Sequence, residues 1–225
     1  MEDNKKICFV ICYNNENYLS ECLLYIRNLN IPGGYITDII QIEGASSMTE
    51  GYQAAMERTD AKYVVYLHQD VFILEKDFIK KTIAIFESDE TIGMIGMVGS
   101  VRMPKSGVMW ENKERTGLLR SCTLDTEDDR FDREMEKPYT EVEAIDGLLM
   151  MTNGHDINWR TDIFDGWDFY DVSQSFEYRQ RGYKIVVPYQ EKPWVLHDCG
   201  FVNMTEYEKY RKKFFAEYLK GQKDK

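Results

Sequence analysis

Four short stretches of this chain carry residues whose types and spacing could do chemistry. In "AKYVVYLHQDVFI" (61–73) the apolar run Tyr63 to Leu67 stops at His68, Gln69 and Asp70. Residues two apart in an extended segment project to one side, so His68 and Asp70 face together. An imidazole and a carboxylate so placed can bind a divalent cation whose shell is completed by phosphate oxygens. They can equally form a hydrogen-bonded strand end. Asp146-Gly147 breaks the two apolar runs of "EVEAIDGLLMMTN" and is also an ordinary turn dipeptide. Asp171, where a helical pattern begins, can be an acid–base group or a helix N-cap. His197 lies just beyond the apolar run of "WVLHDCG" and can be a ligand or a structural histidine.

These residues must be positioned by the surrounding elements. "ICFVICY" (7–13) is a continuous apolar run of the kind expected for a strand covered on both faces. Leu19, Cys22, Leu23 and Ile26 then recur at helical spacing until Pro32-Gly33-Gly34. "DIIQIE" (38–43) reads as a second strand, and Ser47-Met-Thr-Glu50 fits a capping box opening a helix. "YVVYL" is the third strand; Phe78, Ile79, Ile83 and Phe86 form the next helical stripe. "IGMIGMVGSV" reads as a fourth strand. Strands alternating with helices predict an α/β fold with an open, mostly parallel sheet flanked by helices. Ligands of such sheets sit beyond the carboxyl ends of the strands, where Tyr13-Asn14-Asn15, Glu43 and His68-Gln69-Asp70 fall. Residues 103–140 lose the pattern in a charged stretch read as a surface insertion or loop, or as a segment ordering over a substrate. Farther on, a helix from about Asp171, a stop at Gly182 and a strand are expected. In the tail, Thr205-x-x-Glu208 gives a capping signal. The aromatic stripe Tyr207, Tyr210, Phe214 and Tyr218 is read as packing on the domain, with a homodimer contact or a membrane-surface face as alternatives.

At 225 residues, one domain is the default. A net charge of −11 argues against a nucleic-acid partner, whose sites need a basic surface. It favours a divalent cation as the companion of any bound phosphate. Five cysteines without C-x-x-C spacing read as free thiols in a reducing compartment. No signal peptide or apolar stretch of about 20 residues is visible, which predicts a cytoplasmic protein, with peripheral membrane attachment left open.

In order and spacing, "YVVYLHQDVFI" and "FYDVSQSFEYRQRGYKIVV…VLHDCG" resemble the GT-A glycosyltransferases. The match is to the family-2-like group, in the glycosyltransferase-like branch where H-Q-D replaces D-x-D, and it covers about residues 5 to 200. The resemblance implies a single GT-A, Rossmann-like domain over 1–225. It would comprise a nucleotide-sugar-binding half (about 1–102), the insertion, an acceptor and catalytic half (141–203) and a C-terminal helix (204–225). It further implies that Tyr13, Asn14, Glu43 and Gln69 line the nucleotide, and that Asp70, with His68 and His197, holds Mn²⁺ or Mg²⁺. Asp146 and Gly147 would lie near the donor sugar and the acceptor, and Asp171 would be the catalytic base. The implied activity is inverting transfer from a nucleotide-diphospho-sugar, a UDP-sugar in the first instance, to a glycan, lipid-linked or other hydroxyl acceptor in polysaccharide biosynthesis.

The chain departs from the family pattern at four places. Tyr170 stands where Glu usually precedes the catalytic Asp, Ser173 where a second Asp is common, and Glu177 where Arg is common. The first strand also lacks the usual Pro before its Tyr-Asn turn. The weakened acidic block motivates an alternative, a non-catalytic nucleotide- or glycan-binding module that serves as a partner protein. A nucleotidyltransferase would need a glycine-rich basic loop after the first strand, and "YNNENYLSE" has none.

Overall fold

The computed structural model describes residues 3–122, 126–131, 133–154, 157–200 and 202–220. The first half alternates as its hydropathy dictates: β1 (Asp3–Tyr13), α1 (Glu16–Arg27), β2 (Ile36–Glu43), α2 (Met48–Met56), β3 (Ala61–His68). Ile7 through Ile11 of β1 are fully buried, because β2 and β3 flank the strand in parallel and helices cover its faces. Helix α1 starts where the Asn15 side chain accepts the Asn17 N–H, and it buries Leu19, Cys22, Leu23 and Ile26. The Ser47 hydroxyl accepts the Glu50 N–H at 3.1 Å and opens α2.

Next come β4 (Val71–Ile73), α3 (Phe78–Ser88), β5 (Ile92–Gly96) and β6 (Val98–Ser100). The apolar run expected as one fourth strand is thus two strands, parted at Met97 and belonging to different sheets. The chain continues through β7 (Arg115–Cys122), β8 (Thr126–Arg130), β9 (Tyr139–Val142), β10 (Ala144–Ile145) and β11 (Leu149–Asn153). It ends with α4 (Tyr170–Gln180), β12 (Lys184–Pro188), β13 (Val195–His197), α5 (Tyr207–Phe214) and a π-helical turn, Phe215–Leu219.

Among the described residues the main sheet has the order β2-β1-β3-β11-β5-β12-β9, with β11 and β9 running against the other strands. A second sheet, β10-β6-β7-β13-β4 with β8 on β7, gathers short strands from distant parts of the chain. The stretch 103–140, expected as an insertion or loop, therefore supplies the central strand of that sheet. Leu118 and Leu119 of β7 are buried, while the charges of β8 face solvent at the sheet's edge. Gly117 permits the close approach of β7 to β6: at φ +125° a Cβ there would lie 2.4 Å from the Met97 carbonyl oxygen. Residues 123–125 and 132 of this stretch lie outside the described residues.

Tyr210, Phe214 and Tyr218 of the tail pack on Phe164, Phe169 and Phe176, which seats the aromatic stripe against the domain. The Thr205-x-x-Glu208 signal does not form a helix cap. Helix α5 begins after Glu206 without a side-chain cap, and the Thr205 hydroxyl instead donates to Asn203 Oδ1 at 2.7 Å. Positions 221–225 of the expected C-terminal helix lie outside the described residues. Among the described residues no helix is long and apolar enough to cross a membrane.

Candidate active site

Because β1, β2 and β3 are parallel, their carboxyl ends share one edge of the main sheet. Tyr13 stands opposite Glu43 there, across the β1–β2 ladder. Gln69 binds the turn after β1: its Oε1 accepts the N–H groups of Asn14 (3.0 Å) and Asn15 (2.9 Å), and its Nε2 donates to Asn14 Oδ1 (2.8 Å). Strand β11 runs against β3, so the turn that precedes it arrives at the same edge. The His68 N–H donates to the Leu148 carbonyl at 3.1 Å. Strand β13 pairs with β4, placing His197 across from Val71, and the Asp198 N–H donates to the Asp70 carbonyl at 2.9 Å.

The result is a cluster of His68, Asp70 and His197, whose potential ligand atoms lie within 4.8 Å of one another. His197 Nε2 is 3.6 Å and His68 Nδ1 3.9 Å from Asp70 Oδ1, too far for hydrogen bonds. Asp70 Oδ1 is buried and has no hydrogen-bond partner among the described residues. A buried carboxylate oxygen without a partner is costly unless something unseen satisfies it. Two imidazole nitrogens facing that oxygen compose a donor set fit for a divalent cation. Side-chain exposures of 25% for His68, 21% for Asp70 and 17% for His197 leave the cluster reachable from solvent. Burial raises the Asp70 carboxyl, but the facing His197 and His68 outweigh it and hold the group below the usual carboxylate range. Burial, then the neighbouring His197, push the His68 imidazole down, toward the neutral form a ligand needs.

The second group of residues lies across Tyr170. Asp171 is in the first turn of α4, after Phe169, which occupies the N-cap position at φ 63° without a side-chain bond. Asp171 is therefore not the cap. Its Oδ2 accepts the Gly147 N–H at 2.9 Å and its Oδ1 the Val172 N–H at 2.8 Å. Burial and then the nearby Asp146 push its carboxyl up to about 7. A group with that pKa suits proton abstraction near neutral pH.

The profile described as "Glycosyltransferase like family" matches residues 8–218, nearly the whole chain. The chain belongs to the glycosyltransferase-like family. Among curated proteins none matches at the sequence level. The fold is that of solved GT-A glycosyltransferases. S. aureus TarS aligns over 97% of this chain and 40% of its own, at TM-score 0.59 and 11% identity. A TarS fragment in complex with UDP aligns over 98% and 67%, at TM-score 0.54 and 11% identity. The mannosyltransferase PcManGT from Pyrobaculum calidifontis, in complex with GDP-Man and Mn²⁺, aligns over 98% and 66%, at 0.58 and 14%. The chain thus spans well under half the length of TarS.

For this glycosyltransferase-like chain the structure brings together the residues singled out in sequence as three neighbouring sets: Tyr13 with Glu43 and Asn14 with Gln69; His68, Asp70 and His197; and Asp146, Gly147 and Asp171. In the sequence Tyr170 stands out only as a departure from the family pattern. In the structure its hydroxyl bonds His68 Nε2, and a Cβ on Gly147 would lie 2.2 Å from that hydroxyl oxygen. Only glycine leaves Tyr170 room at this turn. The one signal in the sequence was the unusual Tyr-Asp start of the helix. Glu177, the other departure, pairs with Arg160 at 3.1 Å and Arg181 at 2.8 Å and ties α4 to the rest of the fold.

Proposed function

We propose that the chain is a metal-dependent, inverting glycosyltransferase. It would move a sugar from a nucleotide-diphospho-sugar, a UDP-sugar in the first instance, to a hydroxyl of a glycan, lipid-linked or other acceptor. The observation that carries this reading is the pairing of an unpartnered Asp70 oxygen between two imidazoles with a carboxyl, Asp171, raised to about 7. The nucleotide is assigned to Tyr13, Asn14, Glu43 and Gln69 at the strand ends, and the donor sugar to the Asp146-Gly147 turn. None of the residues assigned to the site is a lysine or arginine, so Asp70, His68 and His197 must recruit the cation that neutralises a diphosphate. A bound Mn²⁺ or Mg²⁺ would offset the charge developing on the leaving nucleoside diphosphate. The two imidazoles favour Mn²⁺, since Mg²⁺ prefers oxygen ligands. Asp171 accepts the acceptor's hydroxyl proton as that oxygen forms its bond to the anomeric carbon. The bond from that carbon to the diphosphate oxygen breaks on the opposite face. A single displacement of this kind inverts the anomeric configuration.

A thermal-shift experiment tests the donor site. UDP with Mn²⁺ should raise the Tm, and Asp70→Ala should remove the effect. At 100 times Kd the stabilisation is about 2.7 kcal/mol, roughly 5–10 °C for a domain of this size. No shift from UDP, GDP or dTDP with Mn²⁺ would refute donor binding. Nucleotide affinity without donor hydrolysis or transfer over a broad acceptor panel would favour the non-catalytic binding module suggested by Tyr170 and Ser173.

A further inference from the structure

We propose that Tyr170 is a positioning residue for the cation site, whose hydroxyl grips His68 Nε2 and so presents Nδ1 to the space shared with Asp70 and His197. The inference rests on the metal-site reading above and extends it to a residue outside the His68, Asp70 and His197 cluster. The His68 backbone is fixed by its N–H bond to Leu148, but that bond leaves the ring free to turn about its side-chain torsions. The Tyr170 hydroxyl removes this freedom by holding the far nitrogen, while the near one stays 3.9 Å from Asp70 Oδ1.

The position of that hydroxyl is itself tightly determined. Tyr170 is only 4% exposed. Its ring meets Tyr52 edge-on at 6.0 Å and lies 6.5 Å from Trp159. Its oxygen rests over the bare Cα of Gly147, where a side chain would collide. A phenol also suits the task chemically. It can accept from Nε2–H when Nδ1 is engaged by an ion, or donate to Nε2 when Nδ1 carries the proton. It does both without adding a charge to a cluster that already holds Asp70, Asp146 and Asp171. A metal-ligating histidine whose other nitrogen is held in this way keeps its orientation, and loss of such a partner weakens metal binding about 10–100-fold.

Activity is a poor readout, because Tyr170 is bonded in sequence to Asp171 and its loss would disturb both groups. The test is Mn²⁺ binding to metal-free protein, read from the loss of the free-ion EPR signal. Tyr170→Phe, which keeps the packed ring, should raise the Mn²⁺ Kd about 10-fold or more. In a His68→Ala background the same substitution should change Kd less than about twofold, because nothing is left to position. Unchanged affinity in Tyr170→Phe, or an equal loss in both backgrounds, overturns the proposal while the cation site stands. Should wild type bind no Mn²⁺, and Asp70→Ala behave the same, the cation site fails and this inference with it. A second readout needs no substitution of Tyr170. Long-range proton–nitrogen NMR of wild type loaded with diamagnetic Zn²⁺, with His68→Ala assigning the signal, should place the His68 proton on Nε2. A proton on Nδ1 overturns the proposal.

Discussion

Asp70 and Asp171 are carboxyl groups of one candidate site, both partly withdrawn from water, and their protons behave in opposite ways. Desolvation raises both. At Asp70 two imidazoles reverse that effect; at Asp171 a second carboxylate, Asp146, adds to it. The difference separates the tasks. A carboxylate held ionised between two nitrogens is suited to hold a cation, and one poised at about 7 is suited to take and release a proton. Tyr170 stands between the two, touching His68 on one side and the Gly147 turn on the other. The raised group also costs stability. The folded chain keeps a proton on Asp171 that the unfolded chain sheds near pH 4, so this group's contribution falls as pH rises from about 4 to about 7.

The sharpest way to break the division is to remove the proposed base alone. Asp171→Asn should lower kcat by about 10³-fold, within the range for general-base catalysis, while nucleotide affinity in Mn²⁺ stays within about twofold. Steady-state kinetics beside equilibrium binding checks it. Gly147→Ala attacks the point where the two corners meet. The added Cβ must displace the Tyr170 hydroxyl 2.2 Å away, and urea unfolding should show a loss of about 1–3 kcal/mol, accompanied by weaker Mn²⁺ binding.

Asp146→Asn should sharpen the contrast. Wild-type kcat/KM should fall tenfold per pH unit below about 7, because only ionised Asp171 accepts a proton. Without the Asp146 charge that acidic limb should move to lower pH, and a pH–rate profile of both proteins measures the displacement. The smallest effect is expected at Gln69, whose side chain bonds the exposed Asn14 turn. Gln69→Ala should weaken nucleotide binding by about threefold to tenfold and leave Mn²⁺ affinity unchanged, both measured by calorimetry.

What the sequence made legible follows from how each element is stabilised. Strands β1 and β3 are long apolar runs buried on both faces, and α1 and α3 bury clean helical stripes, so hydropathy alone exposes them. The second sheet was not legible, because β4, β6 and β13 have three residues each and β10 has two. Runs that short carry no period, and β6 merges with β5 into one apolar stretch. Within the site, His68, Asp70 and Asp171 were marked by their positions at element ends. Tyr170 was not, because its partner is 102 residues away and the glycine that admits it lies in another turn. Nor does any local signal announce a phenylalanine, Phe169, at positive φ before a helix.

The division of labour is tested most directly by calorimetric titration of Asp70→Ala and Asp171→Asn with the nucleotide that stabilises wild type, in the presence of Mn²⁺. Asp171→Asn should bind as wild type does, and Asp70→Ala should lose the Mn²⁺-dependent part of the affinity. Equal affinity in the two variants, or loss in Asp171→Asn with retention in Asp70→Ala, would contradict it.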